Sequence, residues 1–403
     1  MINEYKDWPS ERIEELLSNF LIDSWSFSRV STFARNEKEF EMRYLYNVYG
    51  KSSATTVGGQ AYHSALEFFF GEFVRGVQAD LVDMQLVATN IIDNIPAYAW
   101  KIQKTRPVEA CIADATSNAY KGIENFLKEQ RLYTDEIKRI IGIELHIAEW
   151  IVVNGVSIPM PCNMVIDLVV ETHDGKKVII DHKLRSSFTS EEDITFTIGK
   201  QAITYVLGYE SKYGETIDEV WFIENKIAKN RDGSPQLSPT KIKMDNGTRR
   251  LYEAMLYEPL RRMIEAVSDP DYIYIMNDTD TYTSKAELYE FWAKTMLNEI
   301  DGFNIAENKK ELITKRQKKI KDSSLISITP NVLKNFKLHA QEFIPLDYTN
   351  KDMTKQEKIA HVLRNFGQSA NVAHTFEGFS SDTFLLEVGA GVAINNVKRY
   401  RLD

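Results

Sequence analysis

Apolar positions along this chain alternate between helical and strand period, and the changes divide it. Over residues 9–22 they recur at helical spacing, with Ser10 as a candidate N-cap ahead of Ile13, Leu16 and Leu17. A second amphipathic helix carries Phe33, Phe40, Tyr44 and Leu45, and Ser28 or Ser31 can cap it. Gly58-Gly59 ends a polar stretch, and a helix holding His63, Leu66, Phe69, Phe70 and Phe73 is predicted to start there. Residues 79–104 and 108–131 read as two more helices, the first stopped by Pro107; they form a helical insertion over residues 79–131.

From residue 136 to 153 the pattern turns to strand, and Asn154-Gly155 is a type I′ hairpin signal. Residues 160–183, MPCNMVIDLVVETHDGKKVIIDHK, then read as two Val- and Ile-rich strands joined through Thr172-His173-Asp174-Gly175. A helix over 198–209, a strand over 218–226, a turn-rich loop over 229–239 and a long helix over 246–267 follow. That order predicts an α/β fold, a three-layer sandwich around a central mixed β-sheet.

Each of the two central strands carries an acid, Asp167 and Asp181, with Lys183 two residues on. Ionised groups in strands this apolar are costly unless they bind something. Asp181 and Lys183, two apart, share a face. Two carboxylates and an ammonium on one face suit a hard divalent cation with a water beside it. Turn length tests the idea. A two-residue loop would pair 167 with 182 and separate the acids, whereas a three-residue loop, His173 to Gly175, pairs 167 with 181. Gly175 stands where that loop needs a left-handed residue, so an odd-numbered loop is predicted. A tight turn at Asn154-Gly155 would pair 144 with 165 and add Glu144 to the same face, as a candidate fourth acid. Pro159 and Pro161 interrupt that ladder.

Asp167 followed by Asp181-His182-Lys183 resembles the signature of the PD-(D/E)xK nucleases, in particular their RecB-like branch. Three further segments are similar to that branch in the right order. Gly59-Gln60-Ala61-Tyr62-His63 resembles its G-x-x-x-H, Gln201-Ala202-Ile203-Thr204-Tyr205 its Q-x-x-x-Y, and residues 26–33 with Phe40 and Tyr44 its N-terminal segment. The resemblance covers residues 24–209 and implies a restriction-endonuclease-like core. It implies metal ligands His63, Asp167, Asp181 and the backbone carbonyl of His182, with Mg²⁺ or Mn²⁺ as cofactor. Lys183 is then catalytic, and Gln201 and Tyr205 position the lysine or the DNA backbone. The implied activity is a DNA nuclease, an exonuclease of recombination, repair or replication, in a bacterial or phage-encoded setting. The alternative is a catalytically inactive nuclease-fold subunit that binds DNA or acts as a scaffold. Some relatives carry an iron–sulfur cluster, which needs four thiolates; this chain has two cysteines, Cys111 and Cys162, so no cluster is expected.

Composition narrows the setting. The chain has 403 residues, 43% hydrophobic and 27% charged, enough for a full core and more than one domain. Residues 1–275 are expected to form the nuclease domain, 276–345 a helical and basic connection, and 346–403 a small α/β subdomain. Two distant cysteines fit a reducing cytoplasm. No stretch approaches the roughly 18 apolar residues of a membrane span, and the charged start lacks a signal peptide's apolar core. A net charge of −9 disfavours a purely electrostatic DNA binder but leaves room for a local basic strip. The densest basic run, residues 309–321, reads equally as a solvated helix face or a DNA track. Residues 284–299 read as helix.

Residues 354–403 read helix–strand–strand and faintly resemble the small α/β subdomain ahead of the motor in FtsK-like DNA translocases, which implies a recombination, replication or translocase complex as partner. The chain stops before a helix over 397–401 would finish, so a longer parent protein or a truncated frame is expected. No phosphate loop is present, which excludes an ATPase motor in the chain as given.

Overall fold

The computed structural model describes residues 2–49, 51–101, 107–190, 193–277, 279–280, 288, 291 and 303–322. The predicted C-terminal subdomain, and nearly all of the helix expected over 284–299, lie outside them. The first helices are α1 (Ser10–Ser18), α2 (Phe27–Arg35) and α3 (Glu37–Phe40), the last running into a π-helical turn, Glu41–Leu45. Next come α4 (Ala54–Val74), α5 (Leu81–Asp93), α6 (Val108–Glu129) and α7 (Arg131–Thr134). Strands β1 (Ile137–Glu149), β2 (Val152–Val153), β3 (Val156–Ser157), β4 (Cys162–Thr172) and β5 (Lys177–Arg185) follow. The order closes with α8 (Gly199–Tyr213), β6 (Glu219–Lys226), β7 (Leu237–Lys243), α9 (Asn246–Ser268) and α10 (Glu307–Asp322).

The five-stranded sheet runs β1-β4-β5-β6-β7. Only β5 and β6 are parallel, and α8 provides the crossover that a parallel pair requires. Helices cover both faces. Leu168, Val170, Val178, Ile180 and Ile223 pack in one apolar core with Tyr62, Phe69 and Phe70 of α4 and Phe126 of α6. Ile166, Val169, Ile179, Val220 and Phe222 pack in another with Ile203 and Val206 of α8 and Leu256 and Leu260 of α9. The three-layer α/β sandwich with a central mixed sheet is therefore the observed architecture.

Several local expectations are corrected. Ser10 is the first residue of α1, not its cap; Pro9 precedes it and no side chain caps that end. Ser26, rather than Ser28 or Ser31, caps α2 by accepting from the Arg29 N–H at 3.3 Å. The helix over 79–104 is shorter: α5 ends at Asp93, and Pro96 disfavours helical backbone at Ile95, just past that end. Strand β7 replaces part of the loop over 229–239. Pro239 hid it, and it is tolerated because β7 is an edge strand. The basic run does form a helix, α10, but Arg316 turns inward, 1% exposed, onto Glu41 at 2.7 Å.

The start of α4 is the most instructive correction. Ser53 caps it, and Gly58 and Gly59 lie inside the helix rather than before it. A Cβ on Gly58 would meet the Ala115 carbonyl oxygen of α6 at 2.9 Å, whereas one on Gly59 would meet nothing within 4 Å. Gly58 thus sets how closely α4 and α6 approach. Gly58→Leu is expected to lower unfolding stability by about 1–3 kcal/mol through overpacking. Gly59→Ala should leave it unchanged or raise it by up to about 1 kcal/mol through helix propensity. Urea denaturation of the two variants checks the contrast.

Candidate active site

The hairpin between β4 and β5 is held by local chemistry. Gly175 takes φ 84°, Thr172 N–H donates to the Lys176 carbonyl at 2.9 Å, and Gly175 N–H donates to the Thr172 carbonyl at 2.9 Å. The loop is His173 to Gly175, and the ladder pairs Glu171 with Lys177 up to Leu168 with Ile180. Extended one step, that register sets Asp167 against Asp181, as the odd loop requires.

At that step the two strands part. Strand β4 continues beside β1 to Cys162, while β5 continues beside β6 to Arg185. Asp167 stands in the fork, and its Oδ2 accepts the His182 backbone N–H at 2.8 Å. The strand also changes sides here. Cys162, Met164 and Ile166 belong to the α8–α9 core, but Leu168 and Val170 to the α4–α6 core. Simple alternation would keep all five on one face. Across the ladder, Glu144 has φ 47°, a left-handed conformation that costs a side-chain-bearing residue energy.

Glu144 reaches this position by a register other than the one expected. The Asn154-Gly155 turn forms as predicted, with both residues at positive φ, and pairs Val152 with Ser157. Pro159 and Pro161 interrupt the ladder, and two residues are gained between there and Cys162, so Leu145 pairs with Ile166 and Ile143 with Leu168. Residue 144 therefore lies opposite 167, not 165.

Two clusters meet in the fork. In the first, donor atoms of His63, Glu144 and Asp167 all lie within 4.8 Å of one another, and His63 Nδ1 is 3.2 Å from Asp167 Oδ2. Burial would raise the Asp167 carboxyl, but hydrogen bonds from His182 and His63 outweigh it and hold the group far below the usual carboxylate range. Glu144 goes the other way: burial, then the charge of Asp167, push its carboxyl up to about 7. In the second cluster, Lys183 Nζ lies 2.9 and 2.7 Å from the two Asp181 oxygens. Tyr205 donates its hydroxyl to Asp181 Oδ1 at 2.9 Å, and Gln201 Nε2 donates to the Tyr205 oxygen at 2.7 Å. Gln201 and Tyr205, expected to position the lysine or the DNA backbone, thus hold the carboxylate of Asp181, with which Lys183 is paired. Burial, first of all, raises the Asp181 carboxyl above its ordinary value.

The residues present fit a divalent cation. Two carboxylates and an imidazole converge in the first cluster, with oxygen donors for a hard ion and a nitrogen that leans the site towards transition metals. In the second, Asp181 Oδ2 is buried and, apart from its ion pair with Lys183, makes no hydrogen bond. Sequence reasoning placed Asp181 with Asp167 and His63 as ligands; here the third donor gathered beside them is Glu144. The resemblance gives a role to the backbone carbonyl of His182 and none to its ring. The ring points to the opposite layer from Asp181, as alternation dictates, with Nε2 2.8 Å from the Tyr133 hydroxyl and one face against Phe70.

Comparison with known proteins adds an independent finding. A family model described as the PD-(D/E)XK nuclease superfamily matches residues 24–309, a longer stretch than the four motifs span. No curated protein matches the chain by sequence. Among solved structures, a crystal structure of a candidate exonuclease from Eubacterium rectale aligns with 11% identity and a TM-score of 0.41. The alignment covers 68% of this chain and 91% of that one.

A cation held by the first cluster binds the folded chain alone and so must stabilise it. Mn²⁺ at about a hundredfold above its dissociation constant should add about 2.7 kcal/mol. Asp167→Asn and Glu144→Gln should each remove most of that gain. Thermal melts with and without Mn²⁺, followed by circular dichroism, measure it; a wild-type melt that Mn²⁺ leaves unmoved overturns the metal assignment.

Proposed function

The chain belongs to the PD-(D/E)XK nuclease superfamily, and from that premise we propose that it is a DNA nuclease dependent on Mg²⁺ or Mn²⁺. We further propose that it works as an exonuclease in DNA recombination, repair or replication. The single observation that carries the reading is the fork, where His63, Glu144 and Asp167 converge beside the Asp181–Lys183 pair.

When bound, the cation would supply Lewis acidity towards a phosphate oxygen and acidify a coordinated water. His63, Glu144 and Asp167 would hold it, with Asp181 and the His182 carbonyl completing the set. The chain's own residues do the rest. Lys183 carries an ammonium at the mouth of the fork, where it offsets charge that builds on the phosphate as the bond to the leaving oxygen stretches. Tyr205 and Gln201 fix Asp181, and through it the ammonium, before substrate arrives. That preorganisation is the electrostatic part of the catalysis. None of these side chains reads a base edge, so cleavage should not depend on sequence.

Lys183→Ala is expected to lower the cleavage rate by at least about 10²-fold while leaving DNA binding within a few fold. The assay is metal-dependent digestion of end-labelled linear DNA, with circular DNA as the control for an exonuclease. Cleavage by Lys183→Ala at the wild-type rate would refute the role of that lysine. A wild-type chain that binds DNA and cuts none, with either metal, favours the scaffold reading instead.

A further inference from the structure

We propose that Tyr133 and the imidazole of His182 are positioning residues for Asp167, acting on its carboxylate from the layer opposite Asp181. The inference rests on the nuclease reading and assigns this buried pair to the same site. His182 stands between Asp181 and Lys183, but its ring is 2% exposed and lies in the α4–α6 layer against Phe70. Its Nε2 is 2.8 Å from the hydroxyl of Tyr133 on α7, itself fully buried. A polar pair that satisfies only itself adds little to stability, since two apolar groups of the same shape can replace it at almost no cost. What sets this pair apart is the second ring nitrogen: Nδ1 lies 3.8 Å from Asp167 Oδ2.

The hydrogen bonds within reach fix the tautomer. Burial lowers the ring's affinity for a second proton, so one nitrogen carries the hydrogen and the other a lone pair. Among the described residues the Tyr133 hydroxyl has no hydrogen-bond partner but Nε2. With the hydrogen on Nε2, the buried hydroxyl would accept and its own proton would go unused, while Nδ1 would turn a lone pair towards a carboxylate. With the hydrogen on Nδ1, the hydroxyl donates to Nε2 and the ring N–H is directed at Asp167. At 3.8 Å that is a charge–dipole contact rather than a hydrogen bond. Three nitrogens then address one oxygen, Oδ2: the His182 backbone N–H at 2.8 Å, His63 Nδ1 at 3.2 Å and the His182 ring. Oδ1 accepts no hydrogen bond among the described residues. The carboxylate is thus turned with one oxygen tied and the other left for a cation.

The first measurement needs no metal. Nitrogen-15 labelling of the histidines in the full chain, with two-bond proton–nitrogen correlation spectra, reads the tautomer, and His182→Asn identifies the signals. The ring is expected in the Nδ1–H form. Tyr133→Phe should move its Nε2 resonance downfield, because an unprotonated nitrogen loses its donor. The second measurement takes Mn²⁺ affinity from the electron paramagnetic resonance of the unbound ion. The double variant Tyr133→Phe/His182→Leu makes both polar groups apolar; it should melt at or above the wild-type temperature yet bind Mn²⁺ about tenfold more weakly. His182→Asn puts an amide nitrogen where Nδ1 stood. It should melt lower, because Tyr133 loses its partner, yet hold Mn²⁺ within about threefold of the wild type. A pair that served packing alone would give the reverse order, with affinity following stability.

A ring found in the Nε2–H form or doubly protonated, an Nε2 resonance unmoved by Tyr133→Phe, or wild-type Mn²⁺ affinity in the double variant overturns the proposal. The spectra and affinities separate it from the nuclease reading. A wild type that gives the expected spectra and the expected order of affinities, yet cleaves no DNA, sinks catalysis and leaves the pair standing.

Discussion

One carboxylate oxygen ties three elements of this fold together. Asp167 Oδ2, on β4, accepts the backbone N–H of His182 on β5 and lies 3.2 Å from the imidazole of His63 on α4. The β4–β5 ladder stops at Leu168 and Ile180, so the His182 N–H would otherwise be buried without a partner, which backbone donors rarely are. The side chain replaces the ladder and lets the strands part without that penalty. The same contacts keep the group ionised, far below the ordinary carboxylate range. Glu144, its neighbour, is driven up to about 7 by burial and by the charge of Asp167. Two adjacent carboxyls pushed apart in this way mark a site rather than a core.

The fork has a backbone cost as well as an electrostatic one. Glu144 occupies a left-handed conformation, and opposite it the side chains of β4 cross from one apolar core to the other. A non-glycine residue persists there only where the surroundings over-determine it. Here they do: β1 remains paired with β4 on both sides of the crossing, and well-buried cores lie above and below. The rigid sheet holds the distorted step in place, and the distorted step aims Glu144 at Asp167.

How much of this could be read from the sequence depends on the range of the interactions that decide it. The three-residue loop and its effect on the register were legible, because Gly175 and the two acids lie within fifteen residues of each other. The α/β order was legible for the same reason. The partner of Glu144 was not, since two residues gained past Pro159 and Pro161 shift β1 against β4 while preserving the alternation that a pattern can detect. Nor was the start of α4. Gly58 looks like a breaker locally, and only the approach of Ala115, more than fifty residues on, shows that it is a contact. The ring of His182 was not legible for a simpler reason: its partners, Tyr133 and Phe70, belong to the layer opposite Asp181.

The distribution of positive charge follows the same division between scaffold and site. The densest basic run became α10, yet its Arg316 is buried against Glu41 with its guanidinium over the Tyr274 ring, and its Lys309 donates to the Leu17 carbonyl. A cation taken out of water needs partners of that kind, and once it has them it has little field left for a ligand. Those two residues therefore fasten a helix rather than form a track. Arg29 differs, because its two accepting contacts are a neutral carbonyl and a neutral hydroxyl. Its hydrogen bonds hold the charge in place without neutralising it, and the carboxylate that acts on it, Asp23, does so without an ion pair. A chain with net negative charge can attract a polyanion only through cations of this second kind, and Arg29 is one, beside Gln201 and Tyr205, which hold Asp181.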